Sequence, residues 1–268
     1  MKILPYLAIT IALAVPLQAQ TPTVTEAQVK HELDEAARTY REGNFAAAQA
    51  HSERALLLDP QNKTAPFFVA RTIHAQYKPG VSTSENVLKA REAIIAYQKI
   101  LDRSPGDEEA YKAIAYLYGA LKEEELLRAW ILQRAADSSV ANGKRAEAYV
   151  VLASKDWDCS FKITELPINK ITTVKANIAR ISYRMPKDRV EFEQARECAN
   201  RGLERANTAI TLTPENEAAW AYKTNLLLEL SKLAEMVGEV QHKRDLLRQY
   251  DEALKETTKV AERSQSKP

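Results

Sequence analysis

Proline recurs in one setting along this chain, and that setting limits the fold more than any other feature. Pro60 stands in "ALLLDPQNKTA", Pro105 in "KILDRSPGDEEA" and Pro214 in "AITLTPENEAA". Each segment opens with apolar residues at helical spacing, meets Pro, crosses a short polar turn and resumes helical spacing. Proline lacks the N–H that a helix interior needs, and it disfavours helical angles in the residue before it. Each of these prolines therefore marks the end of one helix and the approach to the next.

The helices between these stops carry small residues on one face. In "GNFAAAQAHSERALLLDPQN", Gly43 to Asn62, Ala48 and Ala55 lie seven apart with Ser52 between them. Small side chains there let a neighbouring helix come close. Phe45 is placed to plug the turn after Gly43. The preceding "VKHELDEAARTYRE" puts Leu33, Ala36 and Tyr40 on one side of a second helix. Helix, turn and helix together span about 34 residues, the tetratricopeptide period.

The tetratricopeptide pattern runs Trp-x2-Leu-Gly-x2-Tyr, then Ala-x3-Phe, then Ala, then Pro, and the chain resembles that family. Gly43, Phe45, Ala48, Ala55 and Pro60 carry the resemblance in a first repeat over residues 29–62. Glu32, Glu35 and Ala36 depart from it in the Trp, Leu and Gly places, as terminal repeats do. A second repeat, 63–107, shows Ala93, Tyr97 and Pro105, with "KPGVSTS" as an extra loop. A third, 108–141, matches at Tyr111, Ile114, Ala115, Tyr118 and Ala135. A fourth, 142–216, matches at Tyr149, Leu152 and Ala153, and Gly202, Ala206 and Ala209 give the small face of its delayed second helix. A fifth, 217–240, opens on Trp220, and a cap helix covers about 243–263. The resemblance implies an all-α, right-handed superhelical stack of helix-turn-helix repeats.

Composition agrees. Gly is scarce at 7 residues in 268, charged residues make up 28%, and Ala, Glu, Lys, Leu and Arg are prominent. A net charge of +2 without a basic block argues against nucleic acid as a partner. The first residues, "MKILPYLAITIALAVPLQAQTPT", read as a secretory signal peptide over 1–19. Lys2 is the positive end, Ile3 to Val15 the apolar core, and Ala19 the small residue before the cut. An uncleaved N-terminal anchor is the alternative. The mature chain is expected to begin at Gln20, to carry a net charge of about +1 and to contain no membrane span. Its expected place is the periplasm, or outside the cell.

"DCSFKITELPINKITTVKANIARISYRMPKD", Asp158 to Asp188, breaks the helical period. Apolar and polar residues alternate, most clearly where Ile181, Tyr183 and Met185 share a face. A β-hairpin or extended loop is expected at about 159–187, with "KAN" as its turn, between the two helices of repeat four. It should lie against the helices, since an isolated hairpin is marginal. Cys159, read as the end of the first helix, and Cys198, early in the second, then fall close together. Export permits a disulfide there, closing about 38 residues and adding about 3–4 kcal/mol. Two buried free thiols are the alternative.

No residue cluster announces chemistry. Four scattered histidines (His31, His51, His74, His242) and two cysteines do not make a metal site, and neither a phosphate loop nor a nucleophile elbow occurs. The expectation is a protein that is not an enzyme and takes no cofactor or metal. Binding is the better class. The resemblance implies a concave face lined by the first helix of each pair. On it fall Tyr40, Arg41, Phe67, Arg71, His74, Lys112, Tyr116 and Trp157, side chains suited to holding a protein or peptide. Leu33 and Ala37 occupy the places of the Lys and Asn that chaperone-tail binders of this family use, so an acidic C-terminal tail is not the expected ligand. The expected function is an exported adaptor. A small-solute or glycan-binding module is the alternative, and a non-catalytic subunit of an envelope enzyme is a third reading.

Overall fold

The structure is a computed structural model that describes residues 24–175 and 178–265. The expected signal peptide at 1–19, and Ala176 and Asn177 of the expected hairpin turn, lie outside the described residues.

The chain forms two compact units, one ending at Pro105 and the other beginning at Gly106. The first contains α1 (Val24–Arg41), α2 (Phe45–Leu58), α3 (Ala65–Gln76) and α4 (Ser84–Arg103). Each helix packs on the next, and α1 also meets α3. The second contains α5 (Glu108–Ala120), α6 (Glu124–Ala136), α7 (Asn142–Thr164), β1 (Lys170–Lys175), β2 (Ile178–Tyr183), α8 (Arg189–Leu212), α9 (Glu217–Met236) and α10 (Val240–Gln265). Successive helices are again neighbours, and α7 also meets α9. Packing on the next helix and the next but one is the signature of stacked helical hairpins.

The prolines act as the sequence implied. Asp59, Ser104 and Thr213, each directly before a proline, leave helical angles at φ −136°, −140° and −147°. Their own N–H groups still close the last turn, so each helix ends without losing a bond. The next helix is then started by a side-chain cap. Asp107 accepts from the Ala110 N–H at 2.9 Å and Asn216 from the Ala219 N–H at 3.0 Å. Gly43 takes a positive φ of 77° to turn α1 into α2, and Phe45 packs on Tyr40 across that turn.

The small faces are buried as expected. Ala48, Ser52 and Ala55 are fully enclosed, as are Ala206 and Ala209. The core of the second unit joins Leu226, Leu227, Leu230 and Leu233 of α9 to Phe192, Ala195, Ala199 and Ala206 of α8 and Ala153 of α7.

The insertion is shorter than expected. Residues 159–164 continue α7, so Cys159 lies inside that helix, five residues before its last residue. Beyond it, β1 and β2 pair antiparallel with Thr172 opposite Ile181. Only the base of this hairpin is tied down: β2 meets α9, and Tyr183 is half-buried. The hairpin thus lies against the helices as expected, but through its base alone, since Val174, Ile178, Ile181 and Met185 are exposed.

Candidate functional site

The expected groove residues fall on the first helices of their pairs, but in different settings. In the first unit, Arg41 and Arg71 are exposed on α1 and α3, and Phe67 is half-buried one turn before Arg71. Tyr40 is engaged with Phe45, ring centroids 5.2 Å apart. His74 meets Tyr97 of α4 edge-on at 5.9 Å, and burial lowers its pKa. A separate open cleft of about 470 Å³ lies between α2, α3 and α4, lined by Glu53, Leu56, Val69, Ile73, Lys89 and Ile95 among others. None of the expected groove residues lines it.

In the second unit, α5 turns Ala110, Ile114 and Leu117 inward and leaves Lys112 and Tyr116 exposed, one helical turn apart. Its orientation is held from α6. The Tyr111 ring stacks on Trp130 at 5.5 Å, and the Arg134 guanidinium lies 4.0 Å over the same ring. Arg134 also pairs with Glu108. Trp157 is part of the packing around α9, against Phe161 at 4.8 Å and Tyr222 at 6.2 Å.

The expected disulfide forms. Cys159 of α7 and Cys198 of α8 are bonded, with Cα atoms 6.1 Å apart. It clamps the two helices that flank the hairpin.

Two charged clusters were not anticipated. The first lies where α6, α7 and α8 meet. Asp156 of α7 is completely buried. Its Oδ1 accepts from Arg128 Nη1 at 3.0 Å and from Arg201 Nε and Nη2 at 3.1 and 2.9 Å. Arg205 Nη1 donates to Oδ2. Burial lowers the Arg205 pKa; Asp156 opposes the shift, and Arg128 and Arg201 add repulsion in the same direction as burial. Gly202 makes this arrangement possible, because α8 there approaches the Asp156 Cβ itself.

The second cluster anchors the hairpin. Lys232 of α9 is buried and donates to Glu229 at 2.5 Å and to Glu165 at 2.7 Å. Its ammonium also lies 5.3 Å from the Phe161 ring centroid and 5.2 Å from that of Tyr183. Thr164 donates to Glu229 at 2.6 Å, Tyr183 Oη to Glu165 at 3.0 Å, and Lys170 to Glu165 at 2.5 Å. Every charge here has a partner, so the network reads as an anchor rather than an open site.

Both clusters left a trace in the sequence. Ala148, Leu152, Asp156, Ser160 and Thr164 recur every fourth residue on the inward face of α7, so Asp156 is an acid in an apolar row. Arg201 and Arg205 are one turn apart and flank Gly202. In "LLLELSKLAEM", Glu229 and Lys232 likewise interrupt a buried stripe. A charge at an inward position requires a partner.

Among the described residues, no group of three or more His, Cys, Asp and Glu side chains is placed to hold a metal, and no helix is long and apolar enough to cross a membrane. No family model matches the sequence, and no curated protein matches it. Solved structures similar to this chain include MamA, residues 41 to the end, from Desulfovibrio magneticus. It is 13% identical over 90% of this chain and 98% of that one, with a TM-score of 0.41. A tetratricopeptide repeat protein from Parabacteroides merdae is 14% identical over 88% and 90%, with a TM-score of 0.36. The TPR2AB domain of yeast Sti1, in a pHSP90 complex, is 15% identical over 87% and 99%, with a TM-score of 0.32. On its own helix order and helix faces, this chain is a tetratricopeptide-like helical-hairpin repeat protein with a two-stranded insertion.

Proposed function

We propose that this chain is an exported adaptor that holds a protein or peptide partner in the cell envelope and performs no chemistry of its own. The observation that carries the reading is the exposed face of α5, where Lys112 and Tyr116 stand one turn apart while the opposite face is buried. A cationic and an aromatic side chain displayed on a helix fixed from behind can dock a segment with little loss of entropy. On α3, Phe67 and Arg71 repeat the pairing with the order reversed. Export is supported by the apolar N-terminal stretch and by the disulfide, which persists in oxidising compartments.

The test is affinity capture from an envelope fraction with the chain from Gln20 onward as bait. One reproducible partner should be retained, and the double variant Arg71→Glu with Lys112→Glu should lose it. Capture that survives the double variant would remove these helix faces from the reading. The small-solute reading has the cleft between α2, α3 and α4 in its favour, since about 470 Å³ lies in the range of ligand pockets. It predicts a thermal shift with a solute and no partner retained.

A further inference from the structure

We infer that the junction of α6, α7 and α8 is a binding site for a small tetrahedral oxyanion of the phosphate or sulfate class, held by Arg128, Arg201 and Arg205. This inference is independent of the adaptor reading.

The argument begins with charge. Three guanidinium ions face one buried carboxylate, Asp156. The neighbouring charges do not balance the excess. Glu197 reaches only Nη1 of Arg201, at 3.1 Å, and is itself exposed. Lys155 and Glu124 pair with each other at 3.0 Å and cancel. The junction therefore keeps at least one positive charge more than its acids supply. Side chains this close repel one another, and burial strengthens the repulsion. A fold that only needed to neutralise Asp156 would need one bidentate arginine, not three.

Geometry gives the excess a direction. Asp156 Oδ1 is shared by Arg128 and Arg201, which brings guanidinium groups from α6 and α8 onto a single oxygen atom. Arg128 and Arg205 each give one N–H to Asp156 and none of their others to another described residue. The Arg128 and Arg201 side chains are 27% and 35% exposed, so their outer edges reach solvent. Asp156 thus acts as an inner post that aligns the three groups. Arg201 gives it Nε and Nη2 and gives Nη1 to Glu197, so Arg201 adds charge, while the N–H donors left over on Arg128 and Arg205 are those that match phosphate oxygens. The cluster is also held from behind: Arg201 Nη2 lies 3.5 Å from the disulfide sulfur of Cys198, and Gly202 fixes the approach of α8 to α7. A dianion suits the site better than a monocarboxylate, since it has both the charge and the oxygens to meet several donors at once.

The test titrates inorganic phosphate, sulfate and acetate into the disulfide-bonded chain by calorimetry, with chloride holding the ionic strength constant. Arginine Nε–H resonances are followed in parallel by NMR. Phosphate and sulfate should each saturate one site and move the Arg128 and Arg205 resonances, while acetate binds far more weakly. Arg128→Gln should weaken phosphate binding about tenfold, as expected for loss of one charge-assisted contact. Arg248→Gln, an exposed charge on α10, should leave it unchanged. The resonance shifts of the unaltered chain keep the test decisive if Arg128→Gln does not fold. Three results would overturn the inference: no saturable binding, acetate binding as tight as phosphate, or phosphate binding that leaves these resonances in place.

Discussion

Gly202 of α8 faces the Asp156 Cβ of α7 so closely that a methyl group at residue 202 would stand 3.0 Å from it and 2.7 Å from a Leu226 methyl of α9. Two effects compete in Gly202→Ala. Alanine gains about 1 kcal/mol of helix propensity, while overpacking a tight core costs about 1–3 kcal/mol. Leu226 is fully buried and Asp156 is pinned by three arginines, so neither can yield freely. Gly202→Ala is expected to be a net loss, read as a lower urea midpoint. Gly119→Ala is the internal control: the added methyl meets only Leu127 at an ordinary 3.7 Å, and stability should rise by a few tenths to about 1 kcal/mol.

Asp156 should be the most sensitive polar position in the second unit. Asp156→Asn keeps the shape but leaves three guanidinium groups without their shared carboxylate. Breaking a buried ion cluster from one side costs about 3–5 kcal/mol. Chemical denaturation should place the variant well below the parent chain. Arg128→Gln, which leaves Asp156 with two arginines, should cost much less. Equal losses in the two variants would mean that Asp156 is not the hub of the cluster.

These two positions show what the sequence could and could not disclose. Helix ends were legible because a proline acts on its immediate neighbour, and Asp59, Ser104 and Thr213 all obey it. Small faces were legible because Ala48 and Ala55, or Gly202 and Ala206, recur at helical spacing. The hairpin was legible from alternation, and the disulfide from the places of the only two cysteines, on the two helices that flank the insertion. The exposure of the hairpin was not, because alternation gives a strand two faces without saying what covers either. The arginine cluster was hidden for a different reason. Arg128, Asp156 and Arg205 lie on three helices, and the inserted hairpin separates α7 from α8 in sequence. Only the inward position of Asp156 hinted that such partners must exist. How the outward residues of α3 and α5 are used depends on a partner, and a partner leaves no periodicity.

The Cys159–Cys198 bond should matter for stability more than for shape. It closes a loop across the hairpin, with the two cysteines 39 positions apart. A loop of that size is worth about 3–4 kcal/mol in chain entropy. Cys159→Ser together with Cys198→Ser should lower the denaturation midpoint accordingly. Helix content by circular dichroism should be unchanged, because α7 and α8 keep their alanine-rich contact. A large loss of helix on reduction would mean that the bond, rather than packing, holds the pair together.

Glu165 gives the hairpin anchor an acid limit. Partial burial alone would raise its pKa, but the hydrogen bonds from Lys170 and Lys232, with that from Tyr183, outweigh burial and bring it from an ordinary 4.5 to about 2. A carboxyl with a lowered folded-state pKa stabilises the fold above its unfolded pKa, and that contribution is lost as the pH falls toward the folded value. The anchor should therefore be intact at neutral pH and weaken between about pH 4.5 and pH 2. Tyr183 reports the same contact from the other side, since burial and the Glu165 carboxylate both raise its pKa. An NMR titration should find the Glu165 carboxyl ionised well below pH 4, with β2 amides broadening only as it protonates. Lys170→Met should move that transition to higher pH by removing one of the ammonium partners. Titration of Glu165 at the ordinary value of 4.5 in the unaltered chain would show that the anchor is not formed in solution.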